Sequence, residues 1–308
     1  MMKKLVLFLM LMLTLVLAGC EYEKMPESKE TSVGYTMTDS RGKVISFSEP
    51  PQRIVLMSYS AGDILTEFYP LDRFVATDIW CKEEDLSNCY TQVGKLPKVE
   101  DNIEHILKFK PDLVILSYGR QNTLADALDS IEVRNCVLKQ PTTIYEIPEY
   151  IRLVGSVVNE SQKAAEMANR VQSYLDKRQD NPRVSGVLLM HPNGGTGHRG
   201  SMGDSIMEVC NIENVATKYK DFKGYYLGKE QIVELNPERI IVMEWMFGGQ
   251  HESAAVRKAD MLADPSYQSV KAIRDGKLII LPMKYFNCNS QYVIQNMEKL
   301  KAEIKKTL

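Results

Sequence analysis

One pattern, Glu-x-Ile-aliphatic-x-apolar-x-Pro-acid-x-aliphatic-Ile, occurs twice in this chain, 126 residues apart. The first copy runs from Glu104 through Ile106, Phe109, Pro111 and Asp112 to Val114 and Ile115. The second runs from Glu230 through Ile232, Leu235, Pro237 and Glu238 to Ile240 and Ile241. A proline pushes the residue before it out of the α-helical region. Each copy therefore predicts a short helix that opens with a carboxylate, stops ahead of the proline and passes into a buried strand. A unit used twice at this distance predicts two similar lobes, each presenting one outward-facing glutamate.

The first twenty residues stand apart from that plan. Lys3 and Lys4 precede an apolar run, Leu5 to Leu17, of the length of an export signal and too short for a comfortable permanent span. The run closes with Leu17-Ala18-Gly19-Cys20, which resembles the lipobox of bacterial lipoproteins. The resemblance implies a signal peptide over 1–19 and a lipidated Cys20. Each buried methylene of an acyl chain contributes about 0.8 kcal/mol, so several chains on one cysteine anchor stably. Residues 20–34 are polar and acidic and read as a flexible tether. About 270 residues remain, enough for two ordinary cores. The formal net charge of −2 gives no basic excess, which argues against nucleic acid as a partner. No later stretch is apolar and long enough to cross a bilayer. Besides Cys20 there are Cys81, Cys89, Cys136, Cys210 and Cys288, with no CxxC pair. Cys81 and Cys89 share one polar loop, where they either bridge or remain free thiols.

Strand and helix signals alternate along the rest. Arg53–Met57, Phe74–Thr77, the first repeat strand and Cys136–Leu138 read as parallel strands, with helices at Ser60–Phe68 and near Thr123–Ser130. Ser161–Gln179 carries an apolar stripe through Ala164, Met167, Ala168, Val171 and Leu175, with Asn159 placed to cap its start. It reads as one long helix bridging the lobes. The scheme then restarts at Arg183–Met190, continues through the second repeat and the Lys277–Leu281 strand, and closes with an amphipathic helix at Gln291–Lys306. The predicted division is 35–155 for the first lobe, 156–180 for the bridge and 181–308 for the second lobe.

In open α/β sheets, ligands sit where loops leave the carboxyl ends of strands. Those loops supply Tyr59, Trp80, Tyr118 and Arg120 from the first half. From the second they supply His191, His198, Arg199, Trp245, Phe247, Lys284 and Tyr285. Aromatics mixed with a few cations suit a large, partly apolar ligand with anionic groups. His191, His198 and Tyr59 are also candidates for axial ligands to a haem iron. A bare zinc or manganese site is the weaker metal reading, because the four histidines show no HxH or HExxH spacing. Gly195–Gly200 matches GxGxxG, but four residues separate it from its strand, and no acidic strand end follows about 20 residues on. A nucleotide-cofactor enzyme is thus the least supported alternative. No GxSxG elbow or P-loop is present.

Taken in order, the lipobox, "PPQRIVLMSYSAGDIL", "IEHILKFKPDLVIL", the bridging helix, the Gly-rich loop and "EQIVELNPERIIV" resemble the substrate-binding lipoproteins of ABC importers. The subgroup is the one for iron-siderophores, haem and cobalamin. The resemblance spans roughly 35 to 305 and is most specific in the two Glu…Pro-acid segments. It implies two Rossmann-like α/β lobes with mainly parallel sheets, joined by one long rigid helix (the class III periplasmic-binding-protein type). It also implies a non-enzymatic, extracytoplasmic monomer without a resident cofactor. Such a protein captures an iron complex (ferric siderophore or haem) or a corrinoid and delivers it to a permease dimer with its ATPase subunits. Glu104 and Glu230 then correspond to the glutamates that dock on the permease.

Overall fold

The computed structural model describes residues 34–177, 182–219, 226–244 and 253–308. The leader with Cys20, most of the tether, Trp245, Phe247 and His251 lie outside the described residues. Among the described residues no helix is long and apolar enough to cross a membrane.

A short antiparallel hairpin, β1 (Tyr35–Thr38) and β2 (Val44–Phe47), opens the folded part, with Tyr35 and Phe47 stacked at 4.7 Å. Sequence reading passed over it because each strand has only four residues. The first lobe is built on β3 (Ile54–Met57), β4 (Phe74–Thr77), β5 (Leu113–Ser117) and β6 (Asn135–Leu138). All pairings are parallel, in the order β4-β3-β5-β6. The second lobe uses β7 (Val184–Met190), β8 (Ile212–Asn214), β9 (Arg239–Glu244) and β10 (Leu278–Pro282), also parallel, in the order β10-β9-β7-β8. Numbered from the first strand of each lobe, both orders are 2-1-3-4. The duplication inferred from two sequence segments therefore extends to whole sheets, and the chain folds as two parallel-sheet α/β lobes.

Both repeats fold alike. The helices Ile103–Leu107 and Lys229–Leu235 lead into β5 and β9, the third strand of each lobe. Lys110 and Asn236, each directly before its proline, take the left-handed conformation with φ of 47° and 44°. A left-handed residue closes a helix, and the proline cannot rejoin it. The acid after the proline ties the third strand to the first. Asp112 accepts the backbone N–H groups of Gln52 and Arg53 at 2.6 and 2.9 Å. The N–H of each acid donates to the first strand, Asp112 to Arg53 O at 2.9 Å and Glu238 to Gly186 O at 2.8 Å. The Glu238 carboxylate, however, accepts only from a side chain there, Ser185 Oγ at 3.3 Å.

The strands are buried on both faces, and their alternate residues feed different cores. Val55, Met57, Val114 and Leu116 face an outer core of the first lobe, while Leu188, Met190, Ile240 and Val242 do so in the second. The inward residues of both sheets, including Ile54, Leu56, Ile115, Val187, Leu189 and Ile241, join one continuous core. The sequence suggested two cores; the inner faces merge because shared helices lie between them. Those helices are Ile147–Val157, Ser161–Leu175 and the carboxyl-terminal Val293–Lys305. Asn159 turns the chain between the first two with φ of 59° and does not cap the second, whose first turn is instead preceded by Glu160. The two helices pack so closely that a Cβ added to Gly155 would stand 2.1 Å from that of Ala164. Cys81, Cys89, Cys136 and Cys288 are free thiols, and these four and Cys210 are all buried. Burial raises their thiols well above the ordinary range, so they pack as small apolar side chains.

Candidate functional site

With strand order 2-1-3-4, connections diverge to opposite sides between the first and third strands, and a crevice opens at their carboxyl ends. In the first lobe that crevice lies between β3 and β5, and in the second between β7 and β9. Each lobe has a cavity there.

The first-lobe cavity, of about 280 Å³, is lined by Met57, Tyr59, Asp78, Trp80, Ser117, Tyr118 and Arg120, with Met283 and Asn287 arriving from the second half of the chain. Tyr59 opens the Tyr59–Leu65 helix, which is capped by Ser58 Oγ accepting the Ala61 N–H. Its phenol receives Asn287 and Asn289 amide donors at 3.4 and 3.3 Å. Burial, and then the nearby Asp63 carboxylate, push the Tyr59 phenol above its ordinary pKa, so it stays protonated. Asp78 is almost fully buried; burial raises its pKa, against hydrogen bonds from Cys81 and the charge of Arg120. Arg120 bonds Asp101 at 2.6 Å and Asp78 at 3.0 Å, with its guanidinium carbon 5.3 Å from the Trp80 ring centre. Two carboxylates thus balance the cation expected to meet an anionic ligand.

The second-lobe cavity, of about 180 Å³, is lined by His191, Thr196, His198, Met202, Met243, Met283 and Asn287, backed by Leu189 and Phe286. The chain leaving β7 folds straight back on itself. His191 N–H donates to Gly195 O at 2.6 Å, Met190 bridges to Thr196, and Gly197 N–H donates to Leu189 O at 3.2 Å. That fold-back sets His191 and Thr196 side by side at the mouth of the sheet. The glycine-rich loop serves packing: a Cβ on Gly197 or Gly203 would press on Leu189 Cδ2 at 3.1 or 2.7 Å. Burial lowers the pKa of His191, which keeps the imidazole neutral. His198 Nδ1 lies 2.9 Å from Arg199 O, and a carbonyl only accepts, so Nδ1 is the donor of that bond. Thr196 Oγ1 is buried with no hydrogen-bond partner among the described residues.

Six of the eleven ligand residues read from the sequence line these two cavities. Tyr59, Trp80, Tyr118 and Arg120 line one cavity, His191 and His198 line the other, and Arg199 turns elsewhere. Arg199 donates to Thr217 O at 2.9 Å and faces a polar hollow shared with Arg183, Glu208 and Glu213. Lys284 donates to Glu84 O at 2.7 Å and sits over Tyr90, and Tyr285 packs against the core. Trp245 and Phe247 lie outside the described residues. Sequence reading missed Asp78, Met283 and Asn287. The last two line both cavities, and their only advance signal was a place just beyond the last strand.

A strap carries Met283 and Asn287 across to the first lobe. Within it Ser290 Oγ donates to Asp63 Oδ2 at 3.1 Å, and Gln291 Nε2 donates to Asp63 O at 2.6 Å. Asp63 is fully buried and also accepts the N–H groups of Asn88 and Cys89 at 2.8 and 2.9 Å. Burial raises its pKa, and these donors draw it back in part.

Glu104 and Glu230 are exposed in the first turns of their helices. A carboxylate is favoured there by the helix dipole, and neither forms an ion pair among the described residues. The caps differ: Asn102 Oδ1 accepts the His105 N–H at 2.7 Å, whereas Gln231 Oε1 reaches back to the Gly228 N–H at 2.8 Å. Among the described residues no three His, Cys, Asp or Glu gather closely enough to hold a metal ion.

A family model described as periplasmic binding protein matches residues 54–285. An uncharacterized ABC transporter substrate-binding lipoprotein, YvrC of Bacillus subtilis, is 21% identical and aligns with 96% of this chain and 95% of its own. A periplasmic binding protein of Veillonella parvula superposes with a TM-score of 0.68 at 19% identity, covering 89% of this chain and 98% of that one. A periplasmic haem-binding protein of Pseudomonas aeruginosa superposes with a TM-score of 0.64 at 19% identity, covering 82% and 92%. At these identities the structural likeness is one of fold.

Proposed function

The chain belongs to the periplasmic binding protein family, and on that premise we propose that it is a non-catalytic, lipid-anchored receptor of an ABC importer. It captures a metal complex between its lobes outside the cytoplasmic membrane and hands it to the permease. The lobes are 35–155 and 181–308, with 156–180 as the bridge and Cys20 as the anchor. The observation that carries this reading is the pair of cavities at the carboxyl ends of the two sheets, both lined by Met283 and Asn287. A ligand lying across them meets aromatic rings on one side and imidazoles on the other. That suits an iron complex (ferric siderophore or haem) or a corrinoid. The relative named as an ABC substrate-binding lipoprotein and the solved haem-binding relative support the same class.

Absorbance titration of the purified protein with haem, a ferric siderophore and cobalamin tests the cargo: one should bind tightly with a shifted spectrum, and binding of none overturns the class. Glu104 and Glu230 dock on the permease. Reversing both (Glu104→Lys with Glu230→Lys) should abolish uptake by cells while the purified protein keeps its affinity. Lost affinity would remove the docking role.

A further inference from the structure

The second-lobe cavity has a lining whose chemistry its neighbour lacks. Its donors come from four elements: His191 after β7, Met202 at the start of the Met202–Val209 helix, Met243 near the end of β9 and Met283 after β10. All are neutral, and no charged side chain lines the cavity among the described residues. Three thioethers beside an imidazole in so small a space form a soft donor set. We propose that this cavity coordinates a single soft, monovalent metal ion of the copper(I) class through His191 and the thioethers of Met202, Met243 and Met283.

Charge and softness both select the ion. A divalent ion entering a lining without carboxylates loses its hydration with no opposite charge to offset the cost. The adjacent helix start adds a partial positive charge that weighs more heavily on a divalent than on a monovalent ion. Zinc and manganese are further disfavoured by the lack of a three-member His, Cys, Asp or Glu group among the described residues. Copper(I) is satisfied by thioether and neutral imidazole and needs no counter-charge. The His191 ring lines the cavity, and Thr196 Oγ1, buried on the same wall, has no hydrogen-bond partner among the described residues. An ion with one residual water or ligand engages both groups: the imidazole binds the metal and the hydroxyl bonds the water. The volume of about 180 Å³ accommodates that pair. The methionines also fill space, as methionines in cores do. That role alone leaves the imidazole and the hydroxyl unexplained.

The cavity is one of the two that the cargo reading uses, but the test of this inference needs only the ion. The test is anaerobic titration of the full-length protein with copper(I) against a chromophoric copper(I) chelator, beside zinc(II) and manganese(II). One equivalent of copper(I) should be taken up in preference to both divalent ions. His191→Ala, and separately Met243→Leu, which preserves volume, should each weaken uptake by roughly tenfold or more. Cys89→Ala should leave it unchanged. X-ray absorption of the loaded protein should report nitrogen and thioether sulfur neighbours. Copper(I) uptake that falls in Cys89→Ala but persists in Met243→Leu assigns the metal to thiols and overturns the proposal, as does tighter zinc binding. A protein that binds a metal complex but no copper(I) sinks this site and leaves the receptor reading intact.

Discussion

The two lobes share a frame and differ in what they mount on it. Both run their strands 2-1-3-4, both bring a helix, a left-handed residue, a proline and an acid to the third strand, and both expose a first-turn glutamate. Their cavities share Met283 and Asn287 and otherwise differ. The first holds aromatic rings and a closed Arg120–Asp78–Asp101 charge set, and the second holds imidazoles and thioethers. The repeated features are those a parallel sheet needs to turn and pin its strands, so they survive where the strand ends have been re-equipped. Among the described residues, only the first lobe carries a buried carboxylate, Asp63, that receives a strap from the other.

That inequality gives the largest expected effect. Asp63→Ala would leave the Asn88 and Cys89 N–H groups and the Ser290 hydroxyl buried without an acceptor, costing roughly 3–5 kcal/mol in urea unfolding. A loss below about 1 kcal/mol would mean that the strap does not join the lobes. Asp63→Asn isolates the charge. Because the folded pKa of Asp63 lies above its unfolded value, ionisation weighs on the folded state. Its contribution to stability is therefore larger below its folded pKa and declines as pH rises through it. The stability of the parent relative to Asp63→Asn should grow as pH falls from 7 towards 4, and the opposite slope would refute the shift.

The repeated acid gives the next contrast. Asp112 accepts two backbone N–H groups of the chain entering β3, so Asp112→Ala should cost about 2–3 kcal/mol. Glu238 is more than a third exposed and pairs with Lys271 at 3.2 Å. Solvent screens that pair, and Glu238→Ala should cost less than about 1 kcal/mol. Equal losses in chemical denaturation would show that the motif does the same work in both lobes.

Much of this was legible in the sequence, and what was not has a physical reason. The strands of the first lobe and three of the second were readable because runs such as Ile54–Met57 are buried on both faces and leave no polar alternation. The three-residue β8 is too short to leave any pattern, and the hairpin before β3 nearly so. The glutamate pair was visible because the motif repeats. The partners of the cations were hidden for a different reason. Arg120 lies 42 residues from Asp78, Lys284 is 200 from Glu84, and Arg199 is 18 from the carbonyl it bonds. Linear sequence shows that a cation stands near a strand end and is silent on which acceptor folds back to meet it. The strap was hidden likewise: Asn287-Cys288-Asn289-Ser290-Gln291 has no periodicity, and its meaning lies in its partner Asp63.

The smallest effect concerns the residue ahead of each repeat proline. Lys110 and Asn236 hold nearly the same left-handed geometry, yet they are not equally suited to it. A side chain with a Cβ crowds the following carbonyl there at roughly 1 kcal/mol, and asparagine escapes part of that through local hydrogen bonding. The Asn236 side chain also makes a tertiary contact, its Oδ1 accepting the Lys271 N–H at 2.8 Å. Lys110→Gly should therefore raise stability by about 0.5–1 kcal/mol. Asn236→Gly removes an acceptor while relieving less strain, and should be neutral or destabilising. Thermal unfolding of the two single variants side by side decides the matter. A gain at position 236 matching that at 110 would show that the geometry alone, and not the residue fitted to it, sets the strain in the two copies.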